Sequence, residues 1–273
     1  MSGDTKRKVT IIGASGRMGK ALLELISQDP ELVLAEAVEI ENSPDTGKNI
    51  SAVFGIPIDK KITSDKETAI RAADIIIDFS SPESGINTVQ FCQAYRKALV
   101  LGTTGFSEKQ SEQVKEAGKT IPVLFSPNMS LGVNLLFKIT RDISSFLGKN
   151  YDIEIVEYHH NKKLDAPSGT ALKFKNEILA GMNRTSGNII YGREGHRKRE
   201  PGEIGIHAVR AGDIVGDHTI LFAGNGERIE IRHVAHSRST FASGALFAAK
   251  YILKELNSKP GYYSFEDIFK SFK

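Results

Sequence analysis

The chain has 273 residues, of which 40% are hydrophobic and 25% charged, a composition that excludes disordered and fibrous proteins. Its 36 basic and 33 acidic residues leave a formal charge of +3, too slight for a nucleic-acid-binding surface and compatible with an anionic small substrate. Cys92, the single cysteine, sits in the apolar stretch Val89 to Tyr95, can form no internal disulfide, and reads as core packing.

No run is long enough to span a membrane, and the basic Lys6-Arg7-Lys8 leads straight into a short strand rather than a long apolar segment, so a cytoplasmic location is expected. Apolar runs and helical patterns then alternate: Val9 to Ile12, a helix from about Met18 to Ser27, Leu32 to Val38, and Ala73 to Phe79. The amphipathic Gly85 to Tyr95, the apolar Ala98 to Leu101, a polar helix Glu108 to Lys119 and the apolar Val123 to Phe125 continue the rhythm. This is the signature of βαβ units with a parallel sheet, and a doubly wound domain is expected over roughly residues 1–130.

After Asn134 the pattern changes to a helix from about Leu135 to Phe146, a strand Asp152 to Glu157, and a helix from about Thr170 to Gly181. Three alternating runs follow, Ile204 to Arg210, His218 to Ala223 and Arg228 to His233, the last two joined by the hairpin signal Gly224-Asn225-Gly226. A second, α+β domain with a mixed sheet is expected over 131–240. The helical segment Phe241 to Leu256 returns to the first domain, which then comprises 1–130 plus 241–273. Two chain crossings, near Ser130 to Asn134 and His236 to Phe241, suit a hinge, and the basic Arg193 to Gly205 reads as a mobile surface loop.

The turn Gly13-Ala14-Ser15-Gly16-Arg17-Met18-Gly19 lies between the first strand and the first helix, where a dinucleotide pyrophosphate meets backbone N–H groups and a positive helix end. Glu39 ends the second apolar run, twenty positions after Gly19, where an acid accepts hydrogen bonds from the adenosine ribose hydroxyls. Two later strand ends carry Gly102-Thr103-Thr104-Gly105 and Ser126-Pro127-Asn128-Met129-Ser130, both at the edge where open α/β sheets collect ligands. Ordinary strand-end turns of this composition remain the alternative for both.

The stretch Glu154 to Ala171 packs several chemistries into little chain. His159 and His160 leave a strand end and point to opposite sides if the strand continues, and Lys163 adds a cation or a proton donor. Pro167-Ser168-Gly169-Thr170 opens a helix, with Ser168 or Thr170 as its cap and its first N–H groups suited to a carboxylate. No metal site is expected, because the adjacent histidines lack a helical i, i+4 partner and cysteine ligands are absent.

As EIVEYHHNKKLDAPSGTA, this segment resembles the signature of the dihydrodipicolinate reductase family. The resemblance extends through GASGRMG, IDFSSPE, GTTG, SPNMS, RAGDIVGDHT and HVAHSRSTFASGA. It implies a Rossmann-like domain completed by the C-terminal helix, a substrate domain whose sheet associates in a homotetramer, and hydride transfer from NADH or NADPH to a cyclic dicarboxylate in diaminopimelate and lysine biosynthesis. On the matching positions it implies that His159 donates or accepts a proton and Lys163 donates one. His160, Lys163, Ser168, Gly169 and Thr170 would hold the substrate carboxylates. Gly13, Ala14, Ser15, Gly16, Arg17, Met18, Glu39, Gly102, Thr103, Thr104, Ser126, Pro127, Asn128 and Met129 would hold the cofactor. Many relatives place arginine after the ribose-binding acid, where this chain has Ile40. Arg17 and Lys48 are then the candidate cations for a 2′-phosphate, and use of both dinucleotides is expected, with NADH at least as good. Another Rossmann dehydrogenase of amino or keto acids would share the cofactor half without the His159 to Ala171 segment, and a dinucleotide-sensing protein would lack the proton-transfer residues.

Overall fold

In the computed structural model, which describes residues 6–148 and 150–271, the first half folds as strictly alternating elements. The ends of the expected first domain, 1–5 and 272–273, lie outside the described residues. The order is β1 (Arg7–Ile12), α1 (Arg17–Ser27), β2 (Leu32–Val38), α2 (Ile50–Phe54), β3 (Ile62–Thr63), α3 (Lys66–Arg71), β4 (Ile75–Asp78), α4 (Pro82–Tyr95), β5 (Ala98–Leu101), α5 (Glu108–Ala117) and β6 (Pro122–Phe125). Residues 75–78 and 98–101 are buried throughout, as expected for strands covered on both faces, and 75–77 and 98–101 read as unbroken apolar runs. Local chemistry sets the helix starts: Asp65 caps α3, Ser81 and Pro82 open α4, and Ser107 with Gln110 forms a capping box on α5.

The second half contains α6 (Leu131–Leu147), β7 (Asp152–His159), α7 (Gly169–Gly181), β8 (Asn188–Tyr191), β9 (Glu203–Arg210), β10 (Asp217–Ala223), β11 (Arg228–Val234), α8 (Ser239–Lys254), β12 (Gly261–Tyr263) and α9 (Phe265–Lys270). The chain divides into two compact units, Met1–Ser130 with Arg238–Lys273, and Leu131–Ser237.

In the first unit the sheet order is β12-β6-β5-β4-β1-β2-β3, and every neighbouring pair is parallel. The chain winds outward from β1 through β2 to β3, then crosses to β4 and winds the other way. The reversal between β1 and β4 opens a crevice over the carboxyl ends of the strands, where ligands bind in such sheets. The returning helix α8 packs on α1 and beneath β4, β5 and β6, and β12 then extends the sheet beside β6. The strand is new relative to the sequence reading, since three residues are too few for an alternation to register. Cys92 is fully buried in the core of this unit, as read from its neighbours.

The second unit has a mixed sheet ordered β11-β10-β7-β9-β8, with β9 parallel to β7 and β8 and β10 antiparallel to β7 and β11. Ile153, Ile155, Ile220 and Phe222 on one sheet face pack with Phe174 and Ile178 of α7 and with Phe137 of α6. The alternation along β7 places Glu157 and His159 on that same buried face, two residues and four residues past Ile155. The strand is thus longer than the expected Asp152 to Glu157, and the two polar side chains occupy core positions. Burial of that kind requires that their polar atoms find partners.

The basic stretch Arg193 to Gly205 differs from the mobile loop expected of it. Residues 203–205 begin β9, and the loop before them is pinned inward: Glu203 is 1% exposed and takes Arg193 at 2.6 Å and Arg197 at 2.7 Å. Arg199 pairs with Glu154 and with Asp152. The Arg193 guanidinium, ahead of opposing burial, holds the Glu203 carboxyl below the usual carboxylate range. Basic composition suggested mobility because Glu154 and Asp152 lie on a strand remote in sequence and because nothing local shows that Glu203 turns inward under its own loop. Glu203→Ala should release the loop, and trypsin should cut between Arg193 and Arg199 roughly tenfold faster than in the wild type. Equal cleavage rates would mean that the ion pairs do not hold it.

Candidate active site

The loop after β1 is shaped by backbone contacts that only glycine permits. Gly13 has φ +83°, and a Cβ there would lie 2.5 Å from the Phe79 carbonyl oxygen. A Cβ on Gly19 would lie 2.3 Å from the Gly13 oxygen and 2.4 Å from that of Ala14, so α1 can start this close to β1 only with glycine at 19. Gly16 is the N-cap of α1 and offers no side-chain cap, which leaves the first N–H groups of an eleven-residue helix available to an anion. Beside the loop is a cleft of about 610 Å³ lined by residues that include Gly13, Gly16, Glu39, Ile40, Lys66 and Ser80.

Glu39 reaches back to the loop: Oε2 accepts from the Ser15 N–H at 2.9 Å, and Oε1 from its neighbour Ile40 N–H at 3.0 Å. Its carboxylate is therefore held in the cleft before any ligand arrives. The cation in the cleft is Lys66, whose ammonium donates to the Ser84 hydroxyl at 2.7 Å and whose pKa burial pushes down. Arg17 opens α1 and Lys48 lies in the turn before α2, and neither lines the cleft. Lys66 was missed because it sits at the start of a short helix well after Glu39 in sequence, and only the parallel β2–β3 pairing draws that helix to the cleft.

The other two turns leave the same sheet edge. The fully buried Asp78 accepts from the Thr103 hydroxyl at 2.7 Å and from the Ser80 N–H at 2.9 Å, tying the turns after β4 and β5 together. A Cβ on Gly102 would enter the Phe79 ring at 2.2 Å. In the turn after β6, the Ser126 hydroxyl donates to the Asn128 carbonyl at 2.7 Å and the Asn128 side chain accepts from the Ser130 N–H at 2.9 Å. Thr104 and Pro127 are exposed, whereas Met129 is 1% exposed.

In the second unit, Glu157 and His159 meet at the end of β7. The fully buried Glu157 carboxylate takes His159 Nδ1, both terminal nitrogens of Arg210 at 2.8 and 2.9 Å, and the Ser168 N–H at 2.9 Å. Burial alone would raise its pKa, but the donors from His159, Arg210 and Ser168 outweigh it and hold the carboxyl at about 2. Arg210 also donates to the Asp165 carbonyl at 2.6 Å and so anchors the loop that carries Lys163. The Lys163 ammonium pairs with the Asp165 carboxylate at 2.7 Å.

Ser168 is the N-cap of α7, its hydroxyl accepting from the Ala171 N–H at 3.1 Å. The same oxygen lies 3.2 Å from Nε2 of His218, which is 3% exposed. Burial, followed by the neighbouring His159, pushes the His218 imidazole down to about 3, so it meets the Ser168 hydroxyl as a neutral ring. Gly169 is exposed, and an added Cβ there would meet nothing within 4 Å. His160 follows the strand end, half-buried, in a turn closed by the Lys163 N–H on its carbonyl at 3.1 Å. His159, Lys163 and the Ser168 to Thr170 turn are thus tied to one hydrogen-bonded cluster.

Comparison with known proteins places nearly all of the chain. A family model described as Dihydrodipicolinate reductase, N-terminus, matches residues 7–129, and one described as Dihydrodipicolinate reductase, C-terminus, matches 132–269. The chain belongs to the dihydrodipicolinate reductase family. A relative from Nitrosospira multiformis named 4-hydroxy-tetrahydrodipicolinate reductase is 42% identical over 262 residues, covering 95% of this chain and 96% of its own. One of the same name from Laribacter hongkongensis is 41% identical over 96% of this chain and 97% of its own. The fold is similar to that of a dipicolinate-bound dihydrodipicolinate reductase from Paenisporosarcina sp. TG-14, with a TM-score of 0.74 at 23% identity, covering 95% of this chain and 98% of that one.

For a reductase of this family, three cluster members escaped the sequence reading: Glu157 as a partner of His159, Arg210 and His218. Arg210 and His218 lie 53 and 61 residues beyond Glu157, and the signal that could have found them is polar residues at inward positions of otherwise apolar alternations. Their burial makes the second unit acid-sensitive. Between pH 6.5 and about 3 the unfolded chain binds a proton at His218 that the folded chain does not, so stability rises with pH there and is lost as pH falls through 6.5. Glu157 adds a second loss as pH falls from 4.5 towards about 2. Hydrogen-exchange protection of the β7 and β10 amides, corrected for intrinsic rates, should fall from pH 6.5 to 5 with a slope approaching about 1.4 kcal/mol per pH unit, and His218→Gln should flatten it. An unchanged slope in that variant would assign the acid sensitivity elsewhere.

Proposed function

We propose that this chain reduces 4-hydroxy-tetrahydrodipicolinate to tetrahydrodipicolinate with NADH or NADPH, taking up one hydride and one proton and releasing water overall, as a step of diaminopimelate and lysine biosynthesis. The observation that carries the reading is the Glu157 carboxylate, which binds the His159 imidazole and the first N–H of the Ser168 turn at once. A proton-exchanging group and the start of a thirteen-residue helix suited to an anion are thereby fixed against each other.

His159 exchanges a proton with the substrate ring and Lys163 donates one. His160, Lys163, Gly169 and Thr170 receive the substrate carboxylates, with the Lys163 ammonium leaving or bridging from Asp165 to do so. Ser168 supports that turn through its cap and its contact with His218. His159→Ala and Lys163→Ala should each lower kcat by roughly a hundredfold or more while NADH still binds, the factor that general acid–base groups supply. A coupled assay that follows NADH oxidation tests this, and near wild-type turnover in both folded variants would overturn the assignment.

The residues of the first unit fit a dinucleotide: an uncapped helix start, a glycine loop and an acid share one cleft. When bound there, the nicotinamide supplies the hydride. Gly13, Ala14, Ser15, Gly16, Arg17 and Met18 would surround the pyrophosphate and Glu39 would accept from the ribose. The turns Gly102 to Thr104 and Ser126 to Met129 would face the nicotinamide half. Glu39 favours a free 2′-hydroxyl, and Ile40, 65% exposed, offers no counter-charge to a 2′-phosphate, whereas Lys66 in the same cleft does. Both dinucleotides are therefore used, with NADH at least as good by kcat/KM. Ile40→Arg should shift the ratio towards NADPH by about five- to thirtyfold, the scale of one charge-assisted contact. Steady-state kinetics with both donors decides it, and a wild-type preference for NADPH above roughly tenfold would refute this account of the ribose site.

The sheet of the second unit buries one face under α6 and α7 and leaves Val156, Tyr158, Val209 and Leu221 half-buried on the other. That open face is the surface through which a homotetramer would assemble. No helix among the described residues is long and apolar enough to cross a membrane, and a cytoplasmic site of action fits a small-molecule reductase.

A further inference from the structure

We propose that Nε2 of His159 is the atom that exchanges the proton, that Glu157 is the positioning residue that keeps the other ring proton on Nδ1, and that Gly216 keeps the approach to Nε2 open. The proposal rests on the reading of His159 as the proton-exchanging group and deepens it to one atom of the ring.

The partners of Glu157 decide the tautomer. One carboxylate oxygen takes His159 Nδ1 and an Arg210 nitrogen, and the other takes the Ser168 N–H and the second Arg210 nitrogen. An ionised carboxylate only accepts, so Nδ1 must carry a proton and, in the neutral ring, Nε2 holds the lone pair. Nε2 itself has no hydrogen-bond partner among the described residues. The neighbouring imidazole of His218 meets His159 edge-on at 5.2 Å between ring centres and turns its own Nε2 to Ser168, so it does not compete for that nitrogen.

Gly216 supplies the space. A Cβ at that position would lie 3.1 Å from His159 Nε2 and 3.3 Å from Cδ2, so any other residue would place a carbon against the free edge of the ring. When His159 gives its proton to the substrate, a pair on the substrate forms the new bond to hydrogen, the Nε2–H bond breaks with its electron pair left on nitrogen, and the neutral ring keeps Nδ1–H on Glu157. Reprotonation uses the same pair. Exchange at Nε2 therefore needs a group at Nδ1 that accepts in both states.

Glu157→Gln removes that group in a defined way. Turned towards Ser168, the new amide NH2 would face two donors that cannot accept, the Ser168 N–H and an Arg210 nitrogen. Turned towards His159, it faces one group that can, if the ring moves its proton to Nε2. The amide thus selects the wrong tautomer, the fault that a carboxylate-to-amide change causes in a Ser-His-Asp triad.

The test combines ring-15N-histidine NMR of the full chain with kinetics and with calorimetric binding of pyridine-2,6-dicarboxylate in the presence of NADH. In the wild type the neutral His159 ring should be the Nδ1–H tautomer. Glu157→Gln should convert it to Nε2–H and lower kcat by about a hundredfold to ten-thousandfold. Glu157→Asp, which keeps the charge, should retain Nδ1–H and recover all but roughly tenfold of the turnover, whereas a merely structural carboxylate would move stability without moving the tautomer. Gly216→Ala should keep the Nδ1–H tautomer and still lose at least about tenfold in both kcat and dicarboxylate affinity. An Nδ1–H tautomer in Glu157→Gln, or full turnover in a folded Gly216→Ala, overturns the proposal. If Gly216→Ala does not fold, the two Glu157 variants decide alone. Failure of the underlying reading is recognised separately, by near wild-type turnover in His159→Ala.

Discussion

A carboxylate with no solvent contact organises the second unit. Glu157 sits where an apolar residue would continue the buried face of β7, and a charge there is tolerated only because Arg210, His159 and the Ser168 N–H share it. Those partners come from β9, from β7 itself and from the start of α7, so satisfying one ion fixes three elements against one another. The loop carrying Lys163 is tied in through the Asp165 carbonyl on Arg210. Removing Arg210 would leave the Glu157 charge in the core without its guanidinium, and the geometry of the site and the packing of the domain are therefore not separable properties.

The first unit solves a different problem, the close approach of backbone to backbone at the carboxyl edge of a parallel sheet. Gly13, Gly19 and Gly102 each stand where a Cβ would strike a carbonyl or a ring at 2.5 Å or less. Asp78 then ties two of the turns through Thr103 and Ser80, so the crevice between β1 and β4 is lined by loops that are held by hydrogen bonds rather than by bulk.

Much of this was legible in the sequence because its signals are local. The alternation of apolar runs and helical periods predicts the winding of the first unit, the Gly224-Asn225-Gly226 turn predicts the β10–β11 hairpin, and the His159 to Ala171 segment reads directly as chemistry. What stayed hidden depends on partners distant along the chain. Arg210 and His218 look like ordinary strand residues until β9 and β10 are laid beside β7. Lys66 looks like a solvated helix start, and Arg193 and Arg199 look unpaired by any distant residue until Glu154 is found beneath them. β12 is invisible for another reason: a three-residue strand is specified by the edge of β6 that receives it more than by its own pattern.

The grip of Glu39 on the Ser15 N–H has an evolutionary consequence. An acid that merely read the ribose could be exchanged freely when a lineage changed its dinucleotide. Here the carboxylate braces the glycine loop, so its loss would loosen that loop whichever dinucleotide the cleft took. Routes to a new preference should therefore run through neighbouring positions such as Ile40 and Lys66, which touch the cleft without holding the loop, and leave the acid in place.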